Sequence, residues 1–134
     1  MKDLKLHLAC GTVYLKDYIN IDAVGYYKQV RPDLLEENMT TFDNYYKDIV
    51  TPKDFMSYKF KRREVVVDLI GDITDLGNIF MGSDFGIAKN SVSEIVAIQV
   101  LEHFTFSEAS KVLENWRKYM KLGASIRIHV TDLS

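Results

Sequence analysis

The apolar run Ile95-Val96-Ala97-Ile98-Gln99-Val100-Leu101, closed by Glu102 and His103, constrains this chain more than any other stretch. Its length and β-branched content predict a strand over Glu94 to Val100. A helical pattern follows, with Ser107 as the expected cap and Ala109, Val112, Leu113, Trp116 and Met120 as its apolar stripe. Gly123 then marks a turn, and Ser125 to Val130 alternates as a second strand. Strand, helix and strand in that order make a parallel pair. Open parallel sheets bind their ligands at the carboxyl ends of the strands, which is where Glu102 and His103 fall.

The rest of the chain supplies three more strands. Leu4, Leu6 and Leu8 alternate with polar neighbours, then Ala9-Cys10-Gly11 forms a tight turn. Tyr18 to Ile21 is a second strand ending at Asp22, and the gap from Gly11 leaves no room for a full crossover helix. Glu64 to Asp68 is continuous and β-branched, as a strand buried on both faces should be. A polar turn, Gly71 to Gly77, follows it, and Gly82 to Ser91 reads as loop. The expected architecture is α/β, a doubly wound parallel sheet of five strands in the order 3-2-1-4-5. Residues 1–134 form one domain, with a helical insertion at about 24–61 that covers one face. Pro32 ahead of Asp33 suits a helix start there, and Thr41 and Pro52 suggest further short helices. The many aromatic residues of this insertion, Tyr26, Tyr27, Phe42 and Tyr45 among them, are expected mainly to pack onto the sheet.

Composition narrows the function. A formal charge of −2 gives no overall attraction to nucleic acid or anionic membrane. The basic cluster Lys59, Lys61, Arg62 and Arg63 reads better as a solvated face than as a phosphate patch. Cys10 is the only cysteine, so no intrachain disulfide forms, a reducing compartment fits, and the thiol reads as a small buried residue in a turn. The polar start is unlike a signal peptide, and no segment approaches the ~20 apolar residues of a membrane span. A cytoplasmic protein without a metal site is expected.

Gly11, Asp22 and Asp72 each fall just after a strand. Gly11 permits a positive φ and a close approach of ligand to backbone. A carboxylate at the end of the second strand is placed to accept both hydroxyls of a ribose. One after the third strand can accept an adenine amino group, with the next amide offered to a ring nitrogen. Each alone is an ordinary turn or capping residue; together, in this order, they point to a nucleoside-containing ligand.

Here the chain resembles the class I S-adenosylmethionine-dependent methyltransferases, in particular a small branch with LHLGCG and VLEHF stretches. The matching residues are Leu6-His7-Leu8-Ala9-Cys10-Gly11, Tyr18-Ile19-Asn20-Ile21-Asp22, Gly71-Asp72-Ile73-Thr74-Asp75-Leu76 and Val100-Leu101-Glu102-His103-Phe104. Met120 to Leu133 matches a further stretch. The resemblance implies a Rossmann-like fold and S-adenosyl-L-methionine as cofactor. It places Ala9, Cys10 and Gly11 against the methionine part, Asp22 on the ribose, Asp72 with the Ile73 amide on adenine, and Ile98 and Gln99 beside the amino group and methyl. Ala9 and Val13 depart from the pattern, standing where many relatives have Gly, and Ser93 stands for the usual Asp.

His103 is the catalytic candidate, since a near-neutral imidazole can take a proton from an acceptor. Its alternative role, shared with Glu102, is to open the following helix. Methyl transfer can also proceed by proximity and alignment alone. The expected function is therefore transfer of a methyl group to an acceptor the sequence does not identify. The alternatives are a cofactor-binding module without catalysis and an enzyme that degrades the cofactor. An Asn/Asp-Pro-Pro-aromatic stretch is absent, so base-amino methylation of nucleic acid has no support. The resemblance also implies a C-terminal hairpin that this sequence lacks, which leaves the fifth strand an open edge and predicts a homo-oligomer joined through residues 125–134.

Overall fold

The computed structural model describes residues 4–45, 64–79, 87–98 and 100–129. Among the described residues nine strands form: β1 (Leu4–Leu8), β2 (Tyr14–Leu15), β3 (Ile19–Asp22), β4 (Tyr26–Tyr27), β5 (Met39–Thr40), β6 (Val66–Val67), β7 (Leu69–Ile70), β8 (Val92–Ile98) and β9 (Met120–His129). Among the described residues they are accompanied by the complete α-helices α1 (Pro32–Asn38) and α2 (Phe106–Tyr119), with single 3-10 turns at Leu76–Asn78 and Leu101–His103. Five strands make one parallel sheet in the order β7-β3-β1-β8-β9. The fold is thus α/β with a five-stranded parallel sheet.

Numbered among themselves in chain order, the five sheet strands run 3-2-1-4-5, but the third member is Leu69–Ile70 and not Glu64 to Asp68, and four short strands lie outside this sheet among the described residues. Val66 and Val67 pair instead with Tyr26 and Tyr27 in a separate two-stranded ladder. The chain bends at Asp68, and Leu69 and Ile70 then pair with Ile21 and Asp22. At the bend the Asp68 amide donates to the Asn20 carbonyl and the Asp68 carboxylate accepts the Asn20 amide, each at 2.8 Å. The short connection from β1 to β3 holds β2, which pairs with β5.

Within the expected helical insertion, Pro32 does start a helix, α1, and Phe42 to Tyr45 are helical. The segment is nevertheless mixed, since Tyr26–Tyr27 and Met39–Thr40 are strands. The expectations at Pro52, at the basic cluster from Lys59 to Arg63, and for the first half of the Gly82–Ser91 loop lie outside the described residues.

Helix α2 begins before Ser107. Thr105 is its cap, accepting the Glu108 amide at 3.1 Å while the Glu108 carboxylate accepts the Thr105 amide at 2.9 Å. Such reciprocal capping satisfies two donors that Ser107 could not. Val112, Trp116 and Tyr119 are buried against Leu6, Leu8, Ile21, Ile95 and Ala97 of the central strands. Trp116 is wholly enclosed, and its indole N–H donates to the Ile73 carbonyl at 2.6 Å. β9 starts directly at Met120, earlier than Ser125. Its register slips between Val92↔Met120 and Glu94↔Ser125, so Lys121 to Ala124 bulge outward around Gly123 at φ 81°. A second, smaller core of Val13, Leu15 and Val96 closes the sheet's other face, with Tyr18, Phe42 and Tyr45 packed on it.

Candidate functional site

The carboxyl ends of β1, β3 and β7, with the segment after β8, surround a cleft of about 720 Å³. From β1 comes Ala9, and from β3 come Asp22 and Ala23. The turn after β7 contributes Gly71, Asp72, Ile73 and Thr74, and Val100, His103 and Phe104 close the fourth side. The sheet builds this opening itself: β1 has β3 on one side and β8 on the other, so the connections leaving its end diverge.

Asp22 sits at the exit of β3 with both carboxylate oxygens partly engaged. Its Oδ2 accepts the Gly11 amide at 2.8 Å and its Oδ1 accepts the Ala23 amide at 2.7 Å. A carboxylate has about four acceptor positions, so roughly two remain for a ligand. The β1 turn is held to β3 by this bond and by Cys10 N–H on the Ile21 carbonyl at 3.1 Å. Ala9 and Gly11 both adopt left-handed backbone, at φ 52° and 56°. For Ala9 that geometry costs about 1–2 kcal/mol, a cost that glycine would not carry.

Asp72 is organised differently. Its Oδ1 accepts both the Thr74 amide at 2.9 Å and the Thr74 hydroxyl at 2.6 Å. The hydroxyl first, then the amide, hold the Asp72 carboxyl below the usual carboxylate range. Both bonds fall on Oδ1, so among the described residues Oδ2 keeps its acceptor capacity. The Ile73 peptide beside it is fixed by Trp116, which takes its carbonyl.

The structure therefore brings Ala9, Asp22, Asp72, Ile73 and His103 to one cleft. It separates others from it. Cys10 is buried with Sγ directed at the Val66 carbonyl, 3.8 Å away, and burial first, with the Asp22 and Asp68 charges, pushes its thiol pKa up. That is a packing residue rather than a reactive one. Gly11 contributes its amide to Asp22 instead of a wall, and Ile98 packs on the Val13 cluster. Gln99 lies outside the described residues. Thr74, Val100 and Phe104 are lining residues that sequence reasoning did not single out. Thr74 carried a signal, since Asp-x-Thr commonly closes such a turn through its side chains.

A second depression, of about 300 Å³, opens between Tyr14, Tyr18, Lys28 and Asp68. Asp68 there accepts Tyr14 Oη at 2.6 Å and Lys28 Nζ at 2.8 Å on Oδ1, and Asn20 on Oδ2. Its acceptor positions are filled from within, so it holds the fold together. Among the described residues no cluster of His, Cys, Asp and Glu could hold a metal ion, and no helix is long and apolar enough to cross a membrane. No family model, curated protein or solved structure matches this chain.

Proposed function

We propose that the cleft binds S-adenosyl-L-methionine and that the protein transfers its methyl group to an acceptor. The observation that carries this reading is the convergence of Ala9, Asp22, Asp72 and Ile73 on one cleft from three different strand ends. The donor set fits the cofactor. The two open acceptor positions of Asp22 suit a pair of ribose hydroxyls, and Asp72 Oδ2 suits the adenine amino group. Val100, Ile73 and Phe104 supply apolar walls for a base. The cofactor supplies an electrophilic methyl on a sulfonium. The chain's own part is to hold it in line with the acceptor and keep water out, which by itself accounts for much of such a barrier. His103, exposed at the rim of the same cleft, is placed to take the acceptor's proton.

The same reading carries a Rossmann-like class for the sheet, a reducing compartment such as the cytoplasm for the lone thiol, and pairing of copies along β9. Calorimetry with S-adenosylhomocysteine tests its centre. One site per chain is expected, and Asp22→Ala should weaken binding by about 1.5–3 kcal/mol, the worth of hydrogen bonds to a charged group. Failure of the wild type to bind removes the reading, and an unaffected variant removes the ribose assignment.

A further inference from the structure

We infer that the cleft selects nucleosides by charge, accepting those with a neutral or cationic 5′ substituent and rejecting 5′-phosphorylated ones. The inference deepens the proposed function and rests on its nucleoside reading of the same cleft. Two independent features carry it.

The first is the turn after β1. A glycine turn receives phosphate when its backbone N–H groups are free and a helix N-terminus follows. Neither condition is met here. The Cys10 amide donates to Ile21, the Gly11 amide to the Asp22 carboxylate at 2.8 Å, and the Val13 amide to the Cys10 carbonyl at 3.1 Å. The chain then enters β2, a strand, so no helix dipole faces the cleft from this turn. The amide best placed to meet an anion is already neutralised by a carboxylate.

The second is the wall. Asp22 and Asp72 are both anionic, the Thr74 bonds favour that state for Asp72, and the described lining holds neither Lys nor Arg. A dianionic phosphate would enter a partly dehydrated space against two like charges, where repulsion is less screened than in water. A sulfonium or an uncharged thioether meets no such penalty.

The test is calorimetry on the whole protein with 5′-methylthioadenosine, adenosine and AMP, at low and at high salt, alongside S-adenosylhomocysteine. Both neutral nucleosides should bind, and AMP should bind at least about tenfold more weakly at low salt, with the gap narrowing as salt screens the carboxylates. Asp22→Asn keeps an acceptor for the Gly11 amide while removing one charge, so it should narrow the gap at low salt. AMP binding as tightly as adenosine overturns the inference while leaving the cofactor reading intact. Binding of methylthioadenosine but of neither AMP nor S-adenosylhomocysteine removes the cofactor reading and also overturns charge as the criterion, because the homocysteine group is a net-neutral zwitterion. No binding by any of the four compounds overturns both.

Discussion

His7 is a buried imidazole whose Nδ1 lies 2.8 Å from Asn20 Oδ1, an oxygen that also accepts the Leu15 amide. Burial lowers its pKa from 6.5 to about 4, against the opposing pull of the Asn20 bond and the Asp22 charge. The fold therefore prefers the neutral ring, and the unfolded chain takes up the proton first. This stabilisation is complete above pH 6.5 and is lost as pH falls toward 4, a change of about 3 kcal/mol. NMR titration should find His7 neutral until near pH 4, while urea unfolding shows stability falling between pH 6.5 and 4; a His7 midpoint near 6.5 would contradict the burial argument. The candidate site was legible at this scale as identities: a carboxylate just past a strand is visible in the letters, and Asp22 and Asp72 do meet in one cleft. Which of their oxygens are already engaged was not legible. The Gly11–Asp22 bond spans eleven residues and depends on β1 and β3 lying side by side.

Among the elements, α2 depends on its first turn. Replacing Thr105 with Ala removes one half of the capping box and should cost about 1 kcal/mol, measurable as a lower urea midpoint with an unchanged slope. Ser107→Ala should be nearly neutral, because Ser107 lies inside the helix and not at its cap. The Thr105-x-x-Glu108 signature was present in the sequence, two residues ahead of the more obvious serine. The sheet was legible where a run of apolar residues belongs to a single sheet, as at β1 and β8. It was not legible across Val65 to Ile70, where one run serves two separate sheets on either side of Asp68. Periodicity reports that a strand is buried without naming its neighbour.

At the scale of the molecule, β9 is one edge of the sheet among the described residues. Among the described residues it pairs only with β8, and Ile126 and Ile128 are each more than a third exposed. An open edge of this kind favours pairing with another chain. Association is therefore expected in light scattering at micromolar concentration, weakened by Ile128→Lys; a monomer at all concentrations would show the edge to be tolerated. The bracket around Asn20 also sets an order of events in time. It joins His7 to β3 across only thirteen residues but reaches Asp68 across forty-eight. Closing the longer loop costs about 1 kcal/mol more chain entropy. The corner made by β1 and β3 should then assemble early in folding and recruit Asp68 afterwards. In stopped-flow experiments Asn20→Ala should slow refolding, whereas Asp68→Asn should act mostly by hastening unfolding. A side chain that reads in the static fold as a rivet would in that case be the place where the chain starts.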